Sequence, residues 1–356
     1  MPISLCIVGA PGLIGKRWTQ HAFDEPLVDL TCIVDPTDFG VHFAQERNLT
    51  LYKSVDEMLA ARQEGKVKVD SALLATPNAT HVPLGVQLVE AGIHTLVEKP
   101  FSTDVESGRR LVAAERGSSA RLLVGQHRRF NPYIVNVKAL LDSGKLGKVL
   151  AVQGVWATLK PADYFEGSTA WRKVAGTGGV VLINLVHDVD LLRHMLGDIV
   201  RVYCEKGVST RGHEAEETGA VVLKFASGAV GTFVFSDATA SPYNFEAATG
   251  ENPLMPQESQ PIYTVFGTSG SFSFPELKLF HYNTPSESWT DKISQDPAAS
   301  VDSTPPFTRQ LRHFVDVVEG KAEPSCGGLD GLKSIITLEA ILESMKTGLP
   351  VDVAQG

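Results

Sequence analysis

Over the first 125 residues, short apolar runs alternate with stretches in which apolar side chains recur every three or four positions. The runs at 3–8, 28–34, 69–75, 93–97 and 121–125 have the length of buried strands, and the intervening periods predict helices at about 13–23, 55–63, 82–91 and 105–116. Strand and helix in strict alternation imply a parallel sheet covered by helices on both faces. Beyond residue 126 the pattern changes. A helix at 133–141 stops at Gly144, and strand-like runs then follow one another at 148–157, 200–208, 219–225, 228–235, 262–266, 271–274 and 277–282. Successive strands with few crossover helices predict a largely antiparallel sheet, hence an α+β second domain. Helices return at 307–318 and 328–346, while 239–260 and 285–306 lack apolar periodicity and read as long loops. The expected organisation is an α/β domain at 1–126 and an α+β domain at 127–356 with a large, mostly antiparallel open sheet.

Composition narrows the class. The chain has 356 residues, 43% hydrophobic and 21% charged, which suits two globular domains each burying its own core. A net charge of −9 sets it against the phosphates of nucleic acid, and Arg128-Arg129 is too short a basic cluster to offset that. Cys6, Cys32, Cys204 and Cys326 form no C-x-x-C pair, so neither a metal site nor a disulfide framework is indicated. The opening residues Met1-Pro2-Ile3-Ser4 carry no signal-type pattern, and no apolar run approaches the ~20 residues of a membrane span. A soluble cytoplasmic protein without a membrane partner is expected.

The first strand leads directly into Gly9-Ala10-Pro11-Gly12-Leu13-Ile14-Gly15, and the second ends in Asp35. A glycine-rich turn alone is weak evidence, but strand, turn, helix and acid in this order form a dinucleotide fingerprint. Glycine admits the pyrophosphate to the backbone, the helix start offers N–H groups, and the acid bonds ribose hydroxyls. The spacing G-x-x-G-x-x-G is one residue longer than the usual G-x-G-x-x-G, which places an insertion at Ala10-Pro11. A 2′-phosphate would meet the Asp35 carboxylate, and no arginine follows in Pro36-Thr37-Asp38, so NAD is favoured over NADP.

At the end of the 93–97 strand stands Glu98-Lys99-Pro100. Proline cannot continue a ladder, and ligands of an open α/β sheet bind beyond the carboxyl ends of its strands. The bare tripeptide is an ordinary solvated turn. With Ala75-Thr76-Pro77-Asn78-Ala79-Thr80-His81, Trp171-Arg172, and Gly178-Gly179 followed by His187 and Asp190, it resembles the glucose-fructose oxidoreductase, inositol dehydrogenase and MocA family over nearly the whole chain. That resemblance implies a catalytic Lys99 preceded by a Glu98 that anchors the turn near the nicotinamide ribose, and a cis Lys99–Pro100 peptide. It also implies cofactor contacts from Gly9, Gly12, Leu13, Ile14, Gly15, Asp35, Ala75, Thr76 and Asn78, the last three in the turn that ends at His81. Arg172 and Trp171 would touch the nicotinamide end or the substrate; read alone, they are an aromatic and a cation stacked on a surface. His127 and Arg128 would stand beside the substrate, and the outer face of the second sheet would pack against another subunit in a homodimer or homotetramer.

Helical spacing places Ile183, Asn184, His187 and Asp190 on one side of a helix. A lone helix histidine is commonly structural; the resemblance makes His187 the partner of Lys99. Hydride transfer between nicotinamide and a secondary alcohol or ketone needs a group to take or give the hydroxyl proton, and a lysine brought down from ~10.4 toward ~7–8 suits it. The expected substrate is a cyclic polyol, sugar or related ring alcohol or ketone. Family members commonly carry an aspartate where this chain has Ile183, so Asn184 is the polar group left to meet a substrate hydroxyl there. Two other readings remain open from sequence: a cofactor-binding regulator of the same fold, and an NAD-dependent glycosidase.

Overall fold

The computed structural model describes every residue except Pro285, Glu287, Ala298 and Ala299. Strand β1 (Ile3–Val8) is buried at all six positions, as a central parallel strand covered on both faces must be. It is followed by α1 (Leu13–Asp24), β2 (Val28–Val34), α2 (Asp38–Arg47), β3 (Leu51–Tyr52), α3 (Val55–Gln63), β4 (Ser71–Leu74), α4 (His81–Glu90), β5 (His94–Glu98), α5 (Val105–Arg116) and β6 (Leu122–Gly125). The strands pair in parallel in the order β3-β2-β1-β4-β5-β6, the doubly wound arrangement whose strand order reverses at β1 and β4. Cys6 and Cys32, distant in sequence, are register partners across β1 and β2.

Helix α2 and strand β3 are not expected from the apolar pattern. Only Gly40, Phe43 and Ala44 of α2 are buried, too few to mark a period. Its ends define it instead: the Thr37 hydroxyl accepts from Gly40 N, and Asn48 closes it in the left-handed conformation with φ 52°.

The second sheet is built from β7 (Val149–Ala157), β8 (Ile199–Lys206), β9 (Thr218–Phe225), β10 (Val230–Ser236), β11 (Tyr263–Gly267), β12 (Ser271–Phe274), β13 (Leu279–His281), β14 (Ser294–Asp296) and β15 (Val351–Asp352). Their order among the described residues is β14-β13-β12-β11-β7-β10-β9-β8-β15, antiparallel apart from the β7–β10 pair. Burial alternates along β9 and β10, so one face is covered and the other open. Helices of this half include α6 (Pro132–Asp142), α7 (Val186–Leu196) and α8 (Phe245–Thr249).

Both expected long loops contain regular structure. Helix α8 interrupts 239–260, started by the Asn244 side chain accepting from Ala247 N and anchored by buried Phe245. Strand β14 lies within 285–306, a stretch from which Pro285, Ala298 and Ala299, with Glu287, lie outside the described residues.

The chain forms two compact units that do not follow the expected 126/127 boundary throughout. Residues 1–130, 304–335 and 356 make the first, and 131–303 with 336–355 the second. Helix α9 (Pro306–Val318) therefore belongs with the parallel sheet, and α10 (Gly328–Thr347) is divided between the units. The reason is the apolar face of α9: Phe307, Leu311, Phe314 and Val315 share one buried cluster with Ile3, Leu5, Ile7 and Trp18. Phe314→Ala should cost about 3–5 kcal/mol through the cavity it leaves. Hydrogen exchange should show the loss of protection in β1 and α1 rather than in β9 and β10; the reverse pattern would place α9 with the second unit.

Candidate functional site

In the first unit, the turn after β1 requires its glycines. Gly9 has φ +83°, and a Cβ there would stand 2.7 Å from the Ala75 carbonyl oxygen. A Cβ on Gly15 would stand 2.2 Å from the Gly9 carbonyl oxygen, so α1 can seat against the turn only with glycine. Gly12 is the N-cap residue of α1 and supplies no side-chain acceptor, and the first turn holds no acid. Gly12 and Leu13 are exposed, with Ile14 half-buried, which leaves the positive end of α1 accessible to an anion. Despite the extra residue, Ala10-Pro11 is accommodated as a turn closed by Gly12 N donating to Gly9 O at 3.1 Å.

Asp35, just past β2, is buried and accepts from Thr37 N at 2.9 Å and from the Thr37 hydroxyl. A Cβ on Gly40 would meet its Oδ1 at 2.7 Å. Past β4, Ala75 and Thr76 are half-buried and Asn78 exposed. Thr76 is braced by the Thr80 hydroxyl, which donates to its Oγ1 at 2.8 Å. The buried His81 ring lies between two carbonyl oxygens, Thr76 O at 2.9 Å and Pro100 O at 2.8 Å. It thereby ties the Thr76 turn to the turn after Lys99.

Lys99 is half-buried at the carboxyl end of β5, and its peptide bond to Pro100 is cis, as the resemblance implied. The Glu98 carboxylate is turned inward. Its Oε1 accepts from the Trp18 indole N–H at 2.6 Å and its Oε2 from Lys99 N at 3.1 Å, so Glu98 fixes the backbone that carries Lys99. His127 stacks on Phe307 with centroids 4.6 Å apart, and Arg128 is buried.

In the second unit, Gly178 and Gly179 start the helix that carries His187. A Cβ on Gly178 would stand 2.1 Å from Arg172 O, and one on Gly179, at φ +88°, 2.2 Å from Glu216 Oε1. Glu216 in turn accepts from Val181 N at 2.8 Å. Residues Val181–Leu185 form a π-helical turn before α7, so Ile183 and Asn184 do not continue the 3.6-residue spacing to His187 that the sequence suggested. Ile183 and Asn184 are half-buried, and His187 and Asp190 are buried. The Asn184 carbonyl oxygen accepts from the ammonium of Lys160. Arg172 donates to Tyr164 O at 3.0 Å and lies over the Tyr164 ring at 3.8 Å, with the exposed Trp171 at 5.7 Å.

A model of an oxidoreductase family's NAD-binding Rossmann fold matches residues 3–126, and that of its C-terminal alpha/beta domain matches 138–353. The chain belongs to the GFO/IDH/MocA oxidoreductase family. A 1,5-anhydro-D-fructose reductase of Ensifer adhaerens is 28% identical over 98% of this chain and 98% of its own. An inositol 2-dehydrogenase of Rhizobium meliloti (strain 1021) is 23% identical, covering 82% of this chain and 83% of its own. Among solved structures, a levoglucosan dehydrogenase complexed with NADH superposes with a TM-score of 0.81 at 18% identity, covering both chains completely.

For a GFO/IDH/MocA chain, the residue that sequence reasoning missed is Lys160. It follows β7 outside any motif, yet its side chain is only 9% exposed. Burial brings its ammonium down to about 8; Asp237 and Glu246 oppose the shift, and Arg172 and Arg211 add to it. Burial pushes the Tyr164 phenol and the Glu216 carboxyl up. Glu217 goes the other way: burial raises it, but donors from Ser209, Thr210 and Arg211 outweigh that and bring it to about 2.

The folded-state pKa of Glu217 lies below the usual carboxylate value, so its stabilisation is complete above pH 4.5 and lost as pH falls toward about 2. Glu217→Gln should cost about 1–2 kcal/mol at pH 7. Denaturant melts of the two proteins should converge between pH 4.5 and about 2, and a gap unchanged across that window would show that the charge contributes nothing.

Proposed function

We propose that this chain is an NAD-dependent dehydrogenase or reductase of a ring alcohol or ketone, of the sugar or cyclic polyol class, with Lys99 as the proton-transferring group and His187 as its partner. The observation that carries the reading is Lys99 itself, held at the carboxyl end of β5 in a doubly wound sheet by the bond from its amide to buried Glu98. The names of the relatives, an anhydrofructose reductase and an inositol dehydrogenase, support the substrate class.

The residues present fit a dinucleotide. Gly9, Gly12 and Gly15 leave room where side chains would intrude, and the first-turn amides at Leu13, Ile14 and Gly15 face an uncapped helix start. Asp35 offers a carboxylate to ribose hydroxyls, and Ala75, Thr76 and Asn78 form the neighbouring strand-end turn. The nicotinamide, when bound, accepts or supplies the hydride. Lys99 takes the substrate hydroxyl proton in oxidation and returns it in reduction. His187 hydrogen-bonds the same oxygen or shares its proton; Trp171, Arg172, His127 and Arg128 help to enclose the reactants. Exposed Val222, Val230, Val234 and Phe266 on the open face of the second sheet support a homodimer or homotetramer.

Lys99→Ala should lower kcat by roughly 10²–10⁴-fold while NADH still binds, because the side chain serves the substrate proton rather than the dinucleotide. Stopped-flow turnover beside an NADH fluorescence titration checks this, and near wild-type kcat would make Lys99 a structural lysine.

Preference for NAD follows from the Asp35 carboxylate. Lys53, a basic residue beside the Asp35 turn, is engaged with Thr37 O at 3.1 Å and Pro36 O at 3.5 Å. Asp35→Ser should narrow the ratio of kcat/KM for NAD over NADP by at least tenfold. Equal efficiency of the wild type with both cofactors would refute the assignment.

A further inference from the structure

Lys160 is a buried ammonium with more donors than acceptors. An ammonium has three N–H groups, and burying it is costly unless they are met. Among the described residues its hydrogen-bond acceptor is the Asn184 carbonyl oxygen. Asp237 Oδ2 stands 3.8 Å away, beyond hydrogen-bond length, and the other oxygen of that carboxylate takes the Arg211 guanidinium at 2.7 Å. The remaining acids nearby are already supplied with donors: Glu246 accepts from the Trp156 indole at 3.0 Å, and Glu217 from Ser209, Thr210 and Arg211. The rings of Tyr164 at 4.5 Å and Trp156 at 5.4 Å give Lys160 cation–π contact but no lone pair along an N–H axis.

The neighbours of this ammonium add donors rather than acceptors. With its oxygen committed to Lys160, Asn184 has its amide N–H groups left to offer. Ile183, beside Asn184 in the chain, carries no polar side-chain atom. Arg172 lies on the same Tyr164 ring as Lys160, and its Nε is buried with no hydrogen-bond partner among the described residues. A substrate hydroxyl set here could accept but would find little to donate to. A carboxylate only accepts, and its single negative charge answers a single ammonium; a phosphate dianion would bring a second charge toward Asp237 and Glu246.

We propose that Lys160, Asn184 and Arg172 form a carboxylate-recognition subsite, and that the substrate is a ring alcohol or ketone bearing a carboxylate, of the uronic acid class. This rests on the ring-alcohol reading given above. Lys160 supplies the charge, Asn184 and Arg172 orient the planar group, and Ile183 excludes a hydroxyl-donating alternative.

The test is calorimetric titration of the full chain, loaded with NADH, with D-glucuronate, D-galacturonate, D-glucose and D-glucose 6-phosphate at pH 7. One of the uronates should bind at least tenfold tighter than glucose. Lys160→Met should bring that ratio near one while NADH binding persists, and Lys160→Arg should restore most of it. The uronate preference should also fade as pH rises through about 8, where the ammonium of the free protein loses its proton. Equal affinity for acid and neutral sugar, tighter binding of the phosphate, no binding of either uronate, or a Lys160→Met loss equal for all sugars would overturn the subsite. With NAD added in place of NADH as the oxidant, uronate preference without oxidation of any sugar would keep the subsite and sink the dehydrogenase reading; oxidation of neutral sugars without uronate preference would do the opposite.

Discussion

The buried carboxylate of Glu98 is the constraint on which the first unit is arranged. A carboxylate in an apolar interior must be met by donors, and here these are the Trp18 indole and the Lys99 amide. The bond to Trp18 ties the end of β5 to α1, the helix whose uncapped start faces the glycine turn. Trp18 also packs edge-on against Phe307 at 4.8 Å, which draws α9 into the same core. Residue 125 is glycine, and a Cβ there would crowd this carboxylate at 3.1 Å from Glu98 Oε2. One acid thus couples the strand that presents the lysine to the helix that forms the dinucleotide turn.

The second unit places its polar residues by a different device. Gly178 and Gly179 allow the chain to pass against Arg172 O and the Glu216 carboxylate, and Glu216 then meets an amide at the helix start. The π-helical turn that follows shifts Asn184 relative to His187 and leaves its carbonyl on Lys160. A wide turn of this kind costs helical regularity, and such turns occur often at functional sites. Ile183, the position where the resemblance implied an aspartate in other family members, sits within that turn.

Local chemistry made much of this legible in the sequence. Strands buried on both faces announce themselves as apolar runs, and the glycine turn, Asp35 and the Lys99 strand end needed no distant partner to be read. What stayed hidden depended on tertiary neighbours. Helix α2 has too small an apolar face to show a period. Helix α9 has a strong one, but nothing in its residues says that the face meets β1 and α1 rather than the sheet preceding it. Lys160 reads as an ordinary surface lysine, because the residues that give it meaning lie 24 and 77 positions away, at Asn184 and Asp237.

Lys160 also bears on how stability and function trade against each other. A lysine whose ammonium is brought down to about 8 by burial is a net cost to folding at neutral pH, since the unfolded chain holds that proton more tightly. An apolar residue of similar length would fill the space between Trp156 and Tyr164 without the cost. Buried ion pairs are in general weak sources of stability, and this one is looser than most, with its carboxylate already committed to Arg211. The proposed ligand, by completing its hydrogen bonds, would account for a charge kept where the fold gains little from it. The same reasoning accounts for Arg172, whose Nε is buried beside the same phenol without an acceptor.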